Sequence, residues 1–202
     1  IYCVWPQVLY GSRRYRARGA EQVAEEIDRV TREFGFRSFY FDDDTFNIGK
    51  QRILSLCAAI KRRGIALPWG AMARADTSDF ETLAAIKEAG AVGLKFGVES
   101  GVQELVDRAG KRLDLDKVRR AVAWCKQLGI NVHLTFTFGL PGETAETIER
   151  TIAFAKELNP DSIQFSITTP FPGTRYYREL KESGNLLTED WSAYDGGAHT
   201  VI

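Results

Sequence analysis

The sequence predicts an α/β fold with a parallel sheet, and three observations carry this prediction. Short apolar runs rich in Phe, Ile and Val alternate with stretches whose apolar residues recur at helical spacing. Glycine follows most of the helical stretches, as expected for a left-handed cap that returns the chain toward a sheet. Polar residues follow the apolar runs, where parallel strands would end. About five strands, each followed by a helix, predict a partial parallel (β/α) barrel.

The helical stretches are recognised by one apolar face and by a stop signal at the end. In order they carry Val23 to Phe34 before Gly35, Ile53 to Ile60 before Gly64, Ser78 onward to Gly90, Val118 to Leu128 before Gly129, and Ile148 to Ala155 before Asn159-Pro160. Ser78 with Glu81 three residues later predicts a capping box. A last helix is expected in "TRYYRELKES".

The strands are expected in the apolar runs that come after these stops. They are "FRSFYF", "IALPWGAM", "AVGLKFGV", "INVHLTFTF" and "DSIQFSI". Runs of this length and composition are typical of strands buried in a parallel sheet. Parallel strands need crossover connections, which the intervening helices supply.

Composition excludes several classes of protein. The chain has 202 residues, and we expect one domain over residues 1–202 because no linker or low-complexity tract divides it. Its formal net charge of zero argues against a nucleic-acid partner. It has no apolar run of the roughly 20 residues that cross a bilayer and no secretory signal pattern, so we expect no membrane partner.

The three cysteines lie far apart and suggest neither a disulfide framework nor a complete metal site. Cys57 and Cys125 fall at helix-core spacing and are expected to be buried and inert. Cys3 differs because it lies in irregular sequence. This usage of cysteine favours the reducing cytoplasm.

Polar residues collect at the predicted carboxyl ends of the strands, which in a parallel barrel form the functional face. They are Asp42, Asp43 and Asp44 after the first strand, Arg74 and Asp76 after the second, Glu99 and Ser100 after the third, "GLPGE" after the fourth, and Thr168, Thr169 and Pro170 after the fifth. This edge therefore predicts a site for a polar, charged small molecule.

The individual motifs leave alternatives open. "FDDDTF" is either a cation site or a solvated turn, and the spacing of a calcium loop is absent. "FGLPGET" brings backbone close to a ligand but lacks the spacing of a phosphate loop, and no G-x-G-x-x-G occurs. "RRYRAR", residues 13–18, fits a solvated loop or one that contacts a substrate carboxylate better than a nucleic-acid site. His133 is expected in a strand, facing the core or the sheet.

Taken together, six stretches resemble the core of radical S-adenosylmethionine (radical SAM) enzymes, and more narrowly the branch with an upstream cobalamin-binding domain. They are "YC" at residues 2–3, "FYFDDDTF", "AMARAD", "KFGVESG", "HLTFTFGLPGET" and "FSITTPFPGT". In that family the first strand of the barrel ends in three cysteines that hold a [4Fe–4S] cluster. Tyr2-Cys3 fits the last pair of that motif, which implies that the chain is a fragment cut within the motif, with its first strand and two cysteines upstream.

The resemblance also implies a role for each site residue. Cys3 would be a cluster ligand, and the Tyr2 backbone would meet the adenine of S-adenosylmethionine. One of Asp42, Asp43 and Asp44 would bind the methionine amino group, although the usual glycine-glycine-glutamate wording is absent. Arg74 would bind the methionine carboxylate. Glu99 and Ser100 would face the ribose or the amine, and the loop of Gly139, Leu140 and Pro141 would pack beside the adenine.

The implied reaction is reductive cleavage of S-adenosylmethionine to a 5′-deoxyadenosyl radical, in a cobalamin-dependent methyltransferase or a ring-forming enzyme. Its partners would be a small-molecule substrate and an electron donor, with the oligomeric state left open. A rival is a metal-dependent β/α-barrel lyase or hydrolase that uses the carboxylates of residues 42–44. A third alternative is a non-catalytic binding module.

Overall fold

The structure, a computed structural model, describes residues 1–10, 15–195 and 199–202. Its five strands form one sheet in the order β1-β2-β3-β4-β5, and every neighbouring pair is parallel. The strands are β1 (Phe39–Phe41), β2 (Trp69–Ala73), β3 (Ala91–Glu99), β4 (Asn131–Phe138) and β5 (Ser162–Ile167). The predicted α/β fold is thereby confirmed, as an open sheet within the described residues.

Seven α-helices connect and flank the described strands. They are α1 (Ala20–Phe34), α2 (Lys50–Arg62), α3 (Phe80–Glu88), α4 (Gln103–Arg108), α5 (Leu115–Leu128), α6 (Ala145–Leu158) and α7 (Arg175–Ser183). A π-helical turn spans Trp5–Leu9, and 3₁₀ turns span Ala75–Thr77 and Trp191–Ala193. Gly35 and Gly129 close α1 and α5 in the predicted left-handed conformation, and Asn159 does the same for α6.

The predicted start of α3 is wrong by one residue. Asp79, rather than Ser78, caps the helix, because its carboxylate accepts a hydrogen bond of 2.8 Å from the Thr82 amide. The Ser78 hydroxyl instead donates to the Arg74 carbonyl at 2.9 Å. Glu81 does not close a capping box but pairs with Lys50 at 2.6 Å.

Two strands are shorter than their apolar runs by three residues, and one helix was not predicted. β1 keeps three residues of "FRSFYF", and β2 begins at Trp69, directly after Pro68, which has no amide hydrogen to donate. α4 has only six residues, too few for a helical period to show in the sequence.

The helices cover one face of the sheet. Strands in sequential order with right-handed crossovers place their helices on the same side. The side chains that alternate toward this side are buried in the main core, among them Leu94, Phe96, Leu134 and Phe136. Cys57 and Cys125 belong to the same core, as predicted. The opposite face, here called the helix-free face, carries half-buried residues such as Lys95 and His133.

None of the helices within the described residues combines the length and the apolar character needed to cross a membrane.

Candidate functional site

The carboxyl ends of the five strands meet at one edge of the sheet, here called the carboxyl edge. Because all the strands are parallel, the segments that follow them lie along this edge. The predicted site residues after the strands are therefore brought to the same side of the molecule.

The first residues of the chain also lie on the carboxyl edge. The amino group of Ile1 donates to the Ala109 carbonyl at 2.7 Å, and the Tyr176 amide donates to the Ile1 carbonyl at 3.3 Å. Ile1 and Tyr2 pack against a small apolar cluster formed by Val102, Leu105, Ala109 and Leu140. The Tyr2-Cys3 pair is thus held beside the ends of β3 and β4, with Cys3 exposed.

Glu99 is the most constrained residue of the edge. Its φ of 75° lies in the left-handed region, which is rare for a residue with a side chain, and the pairing of β3 with β4 shifts register between Gly97 and Glu99. Such a bulge re-aims the side chain at a strand end. The carboxylate forms an ion pair with Lys111, and both side chains are about 15% exposed.

Tyr2 completes a triad with this ion pair. Burial raises the pKa of the Tyr2 phenol above its usual range, and the negative charge of Glu99 and a hydrogen bond to Glu99 raise that pKa further. The phenol therefore stays protonated and donates to the carboxylate. A carboxylate, an ammonium group and a phenol meet where the chain places its exposed thiol.

Gly97 makes room for this triad on the helix-free face. A Cβ atom at Gly97 would lie 2.7 Å from the Lys111 Nζ and 2.8 Å from the Glu99 Oε1. Both distances are shorter than carbon tolerates, so the ion pair occupies the space that the missing side chain leaves.

Ser100 lies behind the edge rather than in it. The residue is fully buried, its hydroxyl shares a hydrogen bond of 3.0 Å with the Thr151 hydroxyl, and it accepts the Val102 amide at 3.1 Å. These bonds hold α6 against the end of β3. The hydroxyl therefore has a structural role, and its predicted contact with a ribose or an amine stays a prediction.

Arg74 is already engaged in a bidentate ion pair. Its Nε and Nη2 atoms donate to the two Asp76 carboxylate oxygens at 2.9 and 2.8 Å, and Nη2 also donates to the Lys111 carbonyl at 3.0 Å. The guanidinium fork that was predicted to bind a methionine carboxylate is filled by Asp76. Arg74 instead fixes the backbone of Lys111, the partner of Glu99.

The three aspartates after β1 are exposed and form no metal centre among the described residues. Asp44 accepts a hydrogen bond from the Tyr10 phenol, and this bond raises the pKa of Tyr10. Within residues 1–10, 15–195 and 199–202, no group of three or more His, Cys, Asp or Glu side chains is arranged to hold a metal ion.

The loop after β4 is held in shape by an internal carboxylate. Glu143 accepts a hydrogen bond from the Gly139 amide, and the Tyr176 phenol donates to the Gly139 carbonyl at 2.7 Å. Burial raises the pKa of Glu143 above its usual range, and its Oε1 atom is buried without a partner among the described residues. Leu140 is buried and Pro141 is half-buried, so packing and hydrogen bonds both hold the loop that was predicted to lie beside the adenine.

Cys3 is the one exposed thiol among the described residues, and it remains the predicted ligand of an iron–sulfur cluster. Such clusters are held by cysteine thiolates. Cys3 is exposed at the carboxyl edge, whereas Cys57 and Cys125 are buried in the core, where desolvation raises the pKa of both thiols to about 12. A [4Fe–4S] cluster here would take Cys3 and would need further thiolates beyond Cys57 and Cys125.

Two residues of the site escaped the sequence analysis. Lys111 lies between α4 and α5, twelve positions after its partner Glu99, and nothing in its surroundings in the sequence marks it. The sequence predicts Glu143 only as the end of "GLPGE" and gives no sign that its carboxylate binds the loop amide. The ion pair could not have been predicted because α4, which separates the two partners, was itself not predicted.

Comparison with known proteins decides the family. The model of the Radical SAM superfamily matches residues 1–155. The chain belongs to the radical SAM superfamily. The match covers every strand-end segment described above except the one after β5.

Relatives of known sequence support this membership in the superfamily. An uncharacterized methyltransferase of Pyrococcus horikoshii is 35% identical over 186 residues, which cover 92% of this chain and 40% of that protein. The anaerobic magnesium-protoporphyrin IX monomethyl ester cyclase of Rubrivivax gelatinosus is 28% identical, over 91% of this chain and 33% of that protein.

A solved radical SAM structure shares the fold. The radical S-adenosylmethionine methyltransferase TsrM from Kitasatospora setae, with cobalamin and a [4Fe–4S] cluster bound, superposes with a TM-score of 0.77. Its sequence is 24% identical, and the match covers 85% of this chain and 33% of that one. The chain thus spans about a third to two fifths of the length of these proteins.

Proposed function

We propose that this radical SAM protein cleaves S-adenosylmethionine reductively to a 5′-deoxyadenosyl radical, at a [4Fe–4S] cluster that takes Cys3 as one ligand. The observation that carries the proposal is the position of the amino-terminal segment. Tyr2-Cys3 is anchored at the carboxyl edge, and the Tyr2 phenol bonds to Glu99. The exposed thiol of Cys3 is therefore adjacent in the chain to the residue that bonds to Glu99.

An iron–sulfur cluster, which membership in the family implies, would supply electron transfer that no side chain of this chain provides. When bound beside Cys3, a cluster would supply the electron for breaking a carbon–sulfur bond of the sulfonium. The predicted strand-end residues at the carboxyl edge include no histidine to act as a base beside Ser100, which is consistent with a reaction whose chemistry belongs to a cofactor.

The residues of this chain would bind and orient S-adenosylmethionine. Glu99 accepts from hydroxyl or ammonium groups, and its ion pair with Lys111 holds the Glu99 carboxylate in place. Gly139 and Leu140, held by Glu143, offer a fixed backbone against which a flat base can pack. Asp42, Asp43 and Asp44 remain candidates for the methionine amino group, because their carboxylates are exposed at the same edge.

For the overall reaction we propose a methyltransferase or a ring-forming enzyme, with cobalamin bound by a part of the protein other than residues 1–202. The relatives named above are a methyltransferase and a cyclase, and TsrM binds cobalamin. The proposed partners are a small-molecule substrate and an electron donor, and the proposed compartment is the cytoplasm. A reducing compartment suits the three cysteines, which are all free thiols.

The rival metal-dependent lyase or hydrolase finds no support in the site. It needs several carboxylates converging on one ion, whereas the three aspartates are exposed and no described cluster of ligands exists around them. No observation supports the alternative of a non-catalytic binding module either.

The direct test is formation of 5′-deoxyadenosine by the full-length protein after anaerobic reconstitution with iron and sulfide. We expect dithionite-reduced protein to release 5′-deoxyadenosine and methionine from S-adenosylmethionine. Cys3→Ala is expected to abolish this product, because a cluster that loses a thiolate ligand is not retained.

Cys57→Ala is the matched control, since it removes an equally small thiol from the core. It should lower stability slightly and leave 5′-deoxyadenosine formation intact. Product formation by Cys3→Ala at the wild-type rate would overturn the assignment of Cys3.

A further inference from the structure

A row of polar side chains crosses the helix-free face below the carboxyl edge. In the register of the sheet, Lys95 on β3 pairs with His133 on β4, and His133 pairs with Ser162 on β5. The next level toward the edge aligns Thr135 with Gln164. Residues paired across parallel strands point to the same face, so these side chains share the face opposite the core.

Lys95 is an unpartnered cation on this face. No hydrogen bond or ion pair joins its ammonium group to any residue in the described part of the chain, although the side chain is half-buried. Lys111, by contrast, is neutralised by Glu99. A partly desolvated ammonium group without a counter-ion is costly, and an incoming anion would remove that cost.

The neighbours of Lys95 add hydrogen-bonding groups without adding negative charge. The His133 Nδ1 lies 2.8 Å from the Ser162 hydroxyl. Burial lowers the pKa of His133, the positive charge of Lys95 lowers it further, and a hydrogen bond with Gln164 opposes both effects. The row therefore combines one cation with neutral groups at pH 7.

We propose that Lys95, His133 and Gln164 bind a carboxylate on the helix-free face. A monoanion fits because one ammonium group balances one negative charge. Lys95 lies two residues before Gly97, over which the Glu99–Lys111 pair lies, so Lys95 is about 7 Å from that pair along the strand. Lys95 and His133 are therefore one level farther from the carboxyl edge than the pair, where a substrate would face the predicted cofactor residues.

The identification of the carboxylate as part of a substrate rests on the proposed function. The existence of the binding site does not depend on that function. Binding can be measured without reductant and without cleavage of S-adenosylmethionine. A protein that fails to form 5′-deoxyadenosine would refute the proposed function and leave this measurement unaffected.

The test compares 4-fluorobenzoate with its neutral analogue 4-fluorobenzamide, followed by ¹⁹F NMR in the full-length protein. We expect the carboxylate to bind about tenfold more tightly than the amide, which is the scale of one charge-assisted hydrogen bond. Lys95→Met is expected to remove this preference. Lys95→Gln, which keeps a polar side chain, makes the same comparison if Lys95→Met does not fold.

Lys156→Met is the matched control, because Lys156 is exposed on α6, away from the helix-free face. It should keep the tenfold preference. Three results would each overturn the proposal: equal binding of both probes to the wild type, a preference that survives in the Lys95 variants, or an equal loss in Lys156→Met. Displacement of 4-fluorobenzoate by S-adenosylmethionine would also overturn it, since the probe would then occupy the cofactor region.

Discussion

Glu99 shows how the end of a strand is adapted to hold a charged group. A non-glycine residue at a φ of 75° costs about 1–3 kcal/mol, and such conformations persist where the surroundings enforce them. Here the enforcing contacts are the ion pair with Lys111 and the hydrogen bonds of Ser100, the next residue, to α6 and to the Val102 amide. Ser100 thus supports the position of Glu99 from behind.

The three cysteines should differ sharply in reactivity in the cluster-free protein. Burial raises the pKa of the Cys57 and Cys125 thiols to about 12, so both remain protonated and shielded at pH 8. We expect iodoacetamide at pH 8 to modify the exposed Cys3 at least about a hundredfold faster than either core thiol. Peptide mass spectrometry over a time course measures the three rates separately.

The same burial fixes the sign of a pH effect on stability. Unfolding returns both core thiols to the ordinary pKa of 9.0, so the unfolded state releases protons above that pH while the folded state retains them. The free energy of unfolding should therefore fall as the pH rises above about 9. Modification of Cys57 or Cys125 as fast as that of Cys3 in folded protein would contradict both expectations.

At the scale of elements, β3 carries most of the site. Its alternation buries Leu94, Phe96 and Val98 toward the helices and turns Lys95 and Gly97 to the helix-free face. The bulge at the end of β3 then places Glu99 at the carboxyl edge. A single strand thus supplies the core contact, the space for the ion pair and the carboxylate.

Two glycines on β3 allow a matched test of this arrangement. Gly93 and Gly97 lie on the same face, but a Cβ at Gly93 would meet only ordinary contacts, the nearest being the Asn131 carbonyl oxygen at 3.6 Å. Gly97→Ala should displace the Glu99–Lys111 pair and weaken binding of S-adenosylmethionine about tenfold, with little loss of stability because flexible side chains can yield.

Gly93→Ala serves as the control and should leave the affinity for S-adenosylmethionine near that of the wild type. Titration calorimetry with the reconstituted protein measures both variants. Equal affinities of the two variants would show that the space above Gly97 does not matter for the cofactor.

Local patterns predicted the elements well and the contacts between them poorly. The ends of β1 at Phe41 and of β4 at Phe138 could be predicted because apolar runs give way abruptly to charged or glycine residues. Two contacts could not be predicted, namely the pairing of Arg74 with Asp76 and the burial of the Ser100 hydroxyl. Each depends on a backbone conformation that sequence spacing does not reveal. The Arg74 guanidinium was predicted to bind a methionine carboxylate, and in the structure it pairs with the carboxylate of Asp76.

At the scale of the whole molecule, the sheet has two edges within the described residues. β1, drawn from "FRSFYF", is one of them and exposes Tyr40. β5 is the longer edge, and it exposes Ile163 and Phe165, each at 41%. Unpaired strand edges with exposed apolar side chains are templates for association.

Residues 1–202 expressed alone should therefore associate in a concentration-dependent way. Phe165→Lys is expected to reduce this association, because a charge on an edge strand opposes pairing. Leu187→Lys is the control, since Leu187 is exposed at 65% outside the sheet. Sedimentation velocity over a range of concentrations makes the comparison, and a wild-type chain that remains monomeric throughout would refute the expectation.

The division of the sheet into two faces explains how the molecule separates stability from function. The core lies between the sheet and its helices, whereas the carboxyl edge and the helix-free face carry the triad of Tyr2, Glu99 and Lys111 and the row at Lys95. Substitutions at the carboxyl edge or on the helix-free face should therefore change ligand binding more than they change the stability of the fold.

The most direct test of the account is the affinity of the reconstituted full-length protein for S-adenosylmethionine when Glu99 is changed. Glu99→Gln keeps the size of the side chain and removes the charge that pairs with Lys111. Glu104→Gln makes the same change at an exposed site on α4. Calorimetry should show affinity at least about tenfold weaker for Glu99→Gln and unchanged for Glu104→Gln. Wild-type affinity in Glu99→Gln would place the cofactor away from the triad and contradict the account.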